Sequence, residues 1–159
     1  MEKIKVILTQ SELDECTRMG EERNRQAKLM GLKDTFGLAE EDGLRVSIVG
    51  CKGEMAIIKF LKIDQKLTIN TFKSVPDVGE YEVRAVANRG ASLIIRDNDD
   101  KKKIYILVEV HFNYCNVVGY FHGHNALKYT KEGHGGRTPA WFIPQSDLLP
   151  VSELPKGFP

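Results

Sequence analysis

The chain has 159 residues, 42% of them hydrophobic and 28% charged, with a formal net charge of +1 at pH 7. This length and composition suit one globular domain over residues 1–159 and leave no room for a second. The balanced charge excludes a global field that draws the protein to nucleic acid or to an anionic membrane. Any polyanion binding must therefore be local.

Targeting signals and cysteine spacing indicate the compartment. Residues 1–5 lack the apolar run of a secretory signal, and no later segment approaches the roughly eighteen apolar residues of a membrane span. Cys16, Cys51 and Cys115 are widely separated and lack the C-x-x-C spacing of zinc or redox sites. We expect a cytoplasmic protein without a membrane partner, whose thiols are free and mostly buried.

The first 44 residues are expected to form an N-terminal strand or extended arm at residues 3–8 and a charged helix at residues 12–30. Ser11 and the acidic residues after it are typical of a helix N-terminus, and Gly31 stands where a C-cap belongs. The basic residues of this helix are expected to form a solvated face. Residues 33–43 lack periodicity and predict a loop.

Residues 45–62 carry the clearest helical pattern of the chain and begin the core, which we expect to span about residues 45–149. Apolar and small residues recur at helical spacing and predict a stripe that packs on a sheet. Gly50 and Gly53 lie on this stripe, and close approach of the helix to a strand is the usual compensation for glycine there.

From residue 80 the hydrophobic period changes to two. Four β-branched or aromatic runs, at residues 80–86, 92–96, 104–112 and 115–121, are separated by short turns and predict an antiparallel meander. A further strand is possible at residues 67–72, a last one is expected at residues 140–143, and single helical turns are expected near residues 125–129 and 146–149. The predicted fold class is α/β (α+β): a mainly antiparallel or mixed sheet flanked by helices.

Four residues could carry chemistry: Glu54 on the second helix, Asp77 in the turn before the strands, and Glu82 and Arg84 on the first strand. Glu54 lies at the shoulder of the apolar stripe and should point toward the sheet. Glu82 and Arg84 share one face of their strand. Converging carboxylates suit Mg²⁺, which polarises a phosphate and activates a water, and a neighbouring cation stabilises the developing charge. The alternative is an amphipathic strand whose charged side chains face water.

These residues resemble the PD-(D/E)XK, or restriction-endonuclease-like, superfamily, and the chain is more closely similar to a group of small, mostly phage-borne proteins over residues 31–149. The matching segments are Gly53-Glu54-Met55-Ala56, Asp77-Val78-Gly79, Glu82-Val83-Arg84, Leu93-Ile94-Ile95-Arg96, Val117-Val118-Gly119-Tyr120 and residues 136–145.

The resemblance implies an αβββαβ core and Mg²⁺- or Mn²⁺-dependent cleavage of DNA or RNA. Glu54, Asp77 and Glu82 would then be metal ligands, and Arg84 would face the phosphate. The chain departs from the superfamily in two places. Arg84 stands where lysine is usual and, being always protonated, cannot act as a general base. Only four residues separate Asp77 from Glu82, fewer than is usual in the superfamily.

Histidines and a basic loop provide two further candidates. His122 and His124, with His134 nearby, have a spacing that zinc or manganese can use, although surface or hydrogen-bonded histidines are the favoured explanation, and His111 fits the edge of the core. In the glycine-rich loop the candidate nucleic-acid contacts are Lys128, Tyr129, Lys131 and Arg137. The alternative is a solvent-facing loop. Residues 97–103 hold three aspartates followed by three lysines and predict a hairpin tip whose charge is largely cancelled.

The leading hypothesis is a small Mg²⁺- or Mn²⁺-dependent endonuclease, most naturally acting on DNA, with Glu54, Asp77 and Glu82 around the metal ion. The competing hypothesis is a non-catalytic accessory protein that uses the same fold to bind nucleic acid or a protein partner.

Overall fold

A computed structural model describes residues 2–30, 40–69, 76–133 and 135–154, with the side chains of residues 40 and 41 excepted. Six strands and two α-helices are found there. They are β1 (Ile4–Ile7), α1 (Gln10–Leu29), α2 (Glu40–Leu61), β2 (Tyr81–Val86), β3 (Leu93–Ile95), β4 (Ile104–Val110), β5 (Tyr114–His122) and β6 (Trp141–Ile143). Short 3₁₀ helices span Gly123–Lys128, Gln145–Asp147 and Val151–Glu153.

Both predicted helices are present, but each begins earlier than expected. Thr9 caps α1, because its hydroxyl accepts from the Glu12 amide at 3.2 Å while the Glu12 carboxylate accepts from the Thr9 amide at 2.8 Å. This reciprocal capping box moves the start ahead of Ser11. Helix α2 already includes Glu40–Gly43, part of the predicted loop, and it ends where Lys62 turns to a φ of 56°. The predicted C-cap Gly31 and loop residues 33–39 lie outside the described residues.

The main sheet has four strands in the order β1-β5-β4-β2 and is mixed. β5 runs antiparallel to β1 and β4, whereas β2 runs parallel to β4. The prediction of an antiparallel meander was therefore wrong. β3 leaves the main sheet and pairs with β6 in a second, two-stranded sheet. The chain then returns to the end of the main sheet at which β2 began before it forms β4. Parallel neighbours such as β2 and β4 require a crossover connection of this kind.

The α+β class with a mixed sheet is confirmed, whereas the specific αβββαβ core is not. After α2 come β2, β4 and β5 of the main sheet, but the helical segment that follows β5 is a 3₁₀ helix and β6 belongs to the second sheet. The possible strand at residues 67–72 is not found at residues 67–69, and residues 70–72 lie outside the described part of the chain.

Two cores lie on opposite faces of the main sheet. Helices α1 and α2 pack on one face, against residues such as Val83, Ile106 and Val117. The β3–β6 sheet covers the other face, against Tyr105 and Leu107. Because Tyr81 and Val83 of β2 belong to the helix-side core and side chains alternate along a strand, Glu82 and Arg84 face the side of the small sheet.

Of the two glycines on the apolar stripe of α2, only Gly53 makes a close approach. A Cβ atom at Gly53 would lie 2.7 Å from the Cβ of Ala85 on β2, whereas a Cβ at Gly50 would meet no atom within 4 Å. The expectation of close approach holds at Gly53 and fails at Gly50.

This difference predicts opposite effects of the same substitution. Gly53→Ala should lower the free energy of unfolding by about 1–3 kcal/mol, because α2 or β2 must shift to admit the methyl group. Gly50→Ala should raise it by up to ~1 kcal/mol through helix propensity alone. Urea denaturation of the two variants and the wild type measures both effects. Equal effects at the two positions would contradict the packing described.

Candidate functional site

Asp77 lies along the open edge of β2. Its Oδ2 atom accepts a hydrogen bond of 2.9 Å from the backbone amide of Val83, on the side of β2 that no strand covers in the described structure. Gln65 fixes the preceding turn, because its side chain donates to the Asp77 carbonyl at 2.9 Å and accepts from the Gly79 amide at 2.8 Å. The Asp77 carboxylate is thus held at the level of Glu82. Gln65 gave no signal in the sequence.

Glu82 meets the Asp77 carboxyl group. The two carboxyl groups lie within interaction distance of each other, since the Asp77 side chain acts directly on the Glu82 carboxyl group. Burial raises the pKa of Glu82 to about 7, and the adjacent charge of Asp77 adds to the effect. The Lys103 ammonium stands 3.7 Å from the Glu82 carboxylate, and its positive charge opposes this rise in pKa. We refer to Asp77 and Glu82 as the carboxyl pair.

A surface cleft of about 400 Å³ is lined by Pro76 and Tyr81, the sequence neighbours of the carboxyl pair. Pro76 and Glu80 line one side of the cleft, and Lys102 and Lys103 line the other. Lys103 both lines the cleft and approaches Glu82, whereas the carboxyl groups of the pair do not line it.

Glu54 lies near the carboxyl pair but is engaged by α1. Its side chain is 13% exposed, and its two oxygens accept from the Arg23 guanidinium at 2.8 and 3.0 Å. Burial raises the pKa of Glu54, Arg23 opposes this, and the charge of Asp77 adds to it. Arg23 also donates to the carbonyl of Thr68 at 2.7 Å. Arg23 is therefore not part of a solvated face, and Glu54 is not a free ligand.

The predicted convergence of three acids is seen only in part. Within residues 2–30, 40–69, 76–133 and 135–154, no group of three or more His, Cys, Asp or Glu side chains is arranged to hold a metal ion. Glu82 faces the small sheet, whereas Glu54 comes from the helix side, and Asp77 at the sheet edge lies between them. The carboxyl pair remains as a possible two-carboxylate site.

Arg84 is bound within the protein rather than directed at the carboxyl pair. Its Nη2 atom lies 2.7 Å from the Asp99 carboxylate, and its guanidinium lies 4.9 Å from the centre of the Tyr105 ring. Its Nε atom donates to the carbonyl of Ile94 at 3.4 Å. The sequence gave no sign that Asp99 would be its partner.

The four residues proposed for nucleic-acid contact have different surroundings. Lys128 and Arg137 are exposed. The Tyr129 hydroxyl donates to Asp147 at 2.6 Å, and Lys131 pairs with Asp97 at 2.5 Å while its ammonium lies 4.9 Å from the Trp141 ring centre. Lys131 is thus matched by an acid, and stacking of Tyr129 on a base would require its hydroxyl to leave Asp147.

The histidines are brought together only as a pair. The rings of His122 and His124 are 5.7 Å apart, and His122 also contacts the ring of Tyr120. His134 lies outside the described residues. His111 stacks on Tyr114 at 4.6 Å, and its Nε2 atom is buried without a hydrogen-bond partner in the described residues, as fits the edge of a core.

Glu109 is a fully buried acid that the sequence reasoning missed. It is 0% exposed, and its oxygens accept from the Lys3 ammonium at 2.9 Å, the Gly90 amide at 2.7 Å and the Gln145 amide group at 2.8 Å. These hydrogen bonds outweigh burial and lower the pKa of Glu109 to about 2. A charged residue inside the apolar run of β4 was the available signal. Glu109 joins the N-terminus to two loops and has a structural role.

The cysteines are free and buried, as predicted. Burial raises the pKa of Cys16 to about 12 and that of Cys51 and Cys115 to about 11. Thiolates at neutral pH, and with them cysteine nucleophiles, are therefore excluded.

The raised pKa of Glu82 predicts a pH-dependent stability. The folded protein holds this proton more tightly than the unfolded chain, so the contribution of Glu82 is fully present below about pH 4.5 and is lost as pH rises through about 7. Glutamine does not ionise, so Glu82→Gln does not lose this stability as pH rises. Between about pH 5 and pH 8 the free energy of unfolding of wild type should therefore fall by about 1–3 kcal/mol relative to that of Glu82→Gln. Urea denaturation across this range measures it, and Glu109, which titrates near pH 2, does not interfere. Parallel curves for the two proteins would contradict the assignment.

Comparison of the chain with protein-family models, curated proteins and solved structures found no match in any of the three. None of the helices in the described residues is long and apolar enough to cross a membrane.

Proposed function

We propose that the protein is a Mg²⁺- or Mn²⁺-dependent nuclease that hydrolyses phosphodiester bonds of nucleic acid, most naturally DNA, with Asp77 and Glu82 as the metal ligands. The observation that supports the proposal is the proximity of these two carboxyl groups: the Val83 amide holds the Asp77 carboxylate at 2.9 Å beside Glu82, where its charge acts on the Glu82 carboxyl group. Two carboxylates repel each other unless a proton or a cation lies between them. A divalent ion can take the place of that proton.

The two-carboxylate arrangement suits Mg²⁺ without a third protein ligand. Mg²⁺ keeps several of its waters and is commonly bound by one or two carboxylates together with substrate phosphates. Glu54 then contributes its charge rather than its oxygens, because Arg23 holds both of them. The charge of Glu54 acts on Asp77 from the helix side, which favours a cation there.

The groups around the carboxyl pair support phosphodiester chemistry. A bound divalent ion would polarise the phosphate and lower the pKa of a water molecule. The Lys103 ammonium stands on the cleft side of Glu82, where it can stabilise negative charge that develops on a phosphate oxygen. Arg84 also acts on Glu82 through its charge, although Asp99 holds its guanidinium.

The second candidate is a non-catalytic accessory protein that binds nucleic acid or a protein partner. Two ion pairs favour the accessory protein: Arg84–Asp99 and Arg23–Glu54. In each, a residue to which the nuclease hypothesis gave a chemical role makes a structural contact instead. Metal-dependent cleavage separates the two functions.

The nuclease proposal predicts that purified protein cleaves a labelled DNA or RNA substrate with Mg²⁺ or Mn²⁺ and not with EDTA. Glu82→Gln should reduce the rate by about 100-fold or more, because it removes a charged ligand at nearly constant size. Glu21→Gln, which removes one acidic charge from an exposed position on α1, is the matched control and should keep the wild-type rate. Activity that survives Glu82→Gln would exclude the site, and a wild type without activity would favour the accessory protein.

Metal binding should also release protons, because the ion competes with the proton of the carboxyl pair. At about pH 6.5 we expect about one proton per bound ion, and the affinity should rise with pH until Glu82 is deprotonated near 7. Calorimetry of Mg²⁺ and Mn²⁺ binding in buffers of different ionisation enthalpy measures this number. Binding without proton release, or in Glu82→Gln with unchanged affinity, would place the ion elsewhere.

A further inference from the structure

His122 and His124 lie where β5 ends and the first 3₁₀ helix begins. His122 is the last residue of β5, and His124 is the second residue of the helix Gly123–Lys128. The centres of the two imidazole rings are 5.7 Å apart, and the ring planes are tilted by 41°. We refer to these residues as the histidine pair. The proposed function gives the pair no role.

The ring nitrogens of the histidine pair are free to bind a ligand. Neither imidazole makes a hydrogen bond or an ion pair with another described residue. His122 is half-buried, but its nitrogens reach solvent, because Nε2 of His111 is the one unpartnered buried nitrogen or oxygen found among the described side chains. His124 is exposed. An ion from solvent can therefore reach both rings.

The backbone between the two histidines is fixed against β4. The Gly123 amide donates to the Lys103 carbonyl at 2.9 Å. A Cβ atom at Gly123 would lie 2.9 Å from the Tyr105 ring and 3.0 Å from the Lys103 carbonyl oxygen, so only glycine fits there without a shift. Further along the 3₁₀ helix, Ala126 is fully buried in the core on the small-sheet side. Both imidazoles are thus carried by a backbone that is packed on each side of Gly123.

Tyr120 positions the His122 ring. The two rings meet edge-on, with their centres 5.8 Å apart. The Tyr120 hydroxyl donates to the Glu153 carbonyl at 3.1 Å, so the tyrosine is itself held in place. Because the His122 ring is already ordered, binding an ion there costs little side-chain entropy.

The separation of the rings suits two nitrogen ligands of one metal ion. Imidazole nitrogen binds zinc at about 2.0–2.1 Å, so two rings that share one ion have their centres roughly 5–6 Å apart. The observed 5.7 Å lies within this range. Imidazole suits Zn²⁺, Cu²⁺ and Ni²⁺, whereas Mg²⁺ takes oxygen ligands. The class of ion therefore differs from that proposed for the carboxyl pair.

The histidine pair leaves part of the coordination shell of a metal ion open. In the part of the chain that the structure describes, no group of three His, Cys, Asp or Glu side chains is arranged to hold a metal ion, so no third ligand of these types joins the pair. Structural zinc sites are closed by four protein ligands, whereas catalytic sites keep a position for water or substrate. Two imidazoles therefore suit an exchangeable ion that also binds water or a small ligand.

The histidine pair and the carboxyl pair lie on opposite faces of the main sheet. Ile104 of β4 pairs with Tyr81 of β2 on one side and with His122 of β5 on the other. Paired residues share a face, and Tyr81 belongs to the helix-side core. His122 therefore faces the helix side, whereas Glu82 faces the small sheet. An ion held by one pair takes no ligand from the other.

We propose that His122 and His124 bind one transition-metal ion of the class of Zn²⁺, Cu²⁺ and Ni²⁺, with water or a small ligand in the remaining positions. This site is independent of the proposed function. Cu²⁺ should bind more tightly than Ni²⁺ or Zn²⁺, because the affinity of a nitrogen site for divalent ions follows that order. Mg²⁺ should not compete for the site.

Isothermal titration calorimetry of the full chain with Zn²⁺ tests the site, in excess Mg²⁺ so that oxygen ligands are occupied. We expect one ion per chain. His122→Gln and His124→Gln should each weaken binding by about 10-fold or more, since losing a ligand costs at least as much as losing an outer-shell partner. The matched control is His111→Gln, which removes a histidine whose Nε2 atom is buried and should leave the affinity unchanged. Glu82→Gln should bind Zn²⁺ as wild type does.

Electron paramagnetic resonance of the Cu²⁺ complex identifies the ligands. The wild-type spectrum should show coupling to two imidazole nitrogens, and that of His124→Gln to one at most. A wild type that does not bind Zn²⁺ would overturn the inference, and so would unchanged Zn²⁺ affinity in His124→Gln, whose exposed position leaves folding intact. Zn²⁺ binding in a protein that never cleaves nucleic acid would leave the histidine pair supported while the nuclease fails.

Discussion

The hydrogen bond from the Val83 amide to the Asp77 carboxylate is the constraint on which the candidate site depends. β2 is an edge strand of the main sheet, and an unpaired amide on such an edge needs an acceptor. Asp77 provides one, and in doing so it is fixed beside Glu82 rather than in solvent. The effect of the Asp77 charge on the pKa values of Glu82 and Glu54, which adds to that of burial, follows from this position.

Asp77 and Glu82 are separated by only four residues, and their carboxyl groups can still lie side by side because the chain reverses direction between them. Val78 and Tyr81 exchange backbone hydrogen bonds of 3.1 and 2.8 Å, and Gly79 adopts a φ of 56° that favours glycine. The tight turn returns Asp77 alongside the strand that it precedes. A longer connection would make this contact depend on distant packing, whereas here local backbone geometry is sufficient.

Local patterns predicted much of the fold. The apolar stripe of α2, the period of two from residue 80 and the short turn between β4 and β5 each depend on residues close in sequence, and each is confirmed. The exit of β3 from the main sheet was not predictable, because a three-residue apolar strand fits either sheet and its partner β6 lies far along the chain. The choice between the main sheet and the small sheet was made by the pairing of β3 with β6, and not by the local sequence of β3.

The same distinction holds for the site. Asp77 and Glu82 are joined by a local turn, and their proximity could be predicted. The partners of Glu54, Arg84 and Glu109 could not, because each ion pair joins separate elements and depends on how the helices and the small sheet pack. Periodicity shows which face of a strand or helix a side chain occupies. It does not show which cation the completed fold brings to that face.

The buried and paired acids of this chain differ in the direction in which the fold shifts their pKa values. Glu109 and Glu12, whose partners are cations and backbone amides, both have a lowered pKa, that of Glu109 falling to about 2. Their hydrogen bonds and ion pairs favour the charged form of the acid. Glu82 and Glu54 are the opposite case, because burial raises the pKa of both. The pKa of Glu82 reaches about 7, with the charge of Asp77 adding to the effect of burial and the Lys103 ammonium lying 3.7 Å away. Such an arrangement costs stability at neutral pH, and a cation bound beside the two carboxyl groups would relieve that cost.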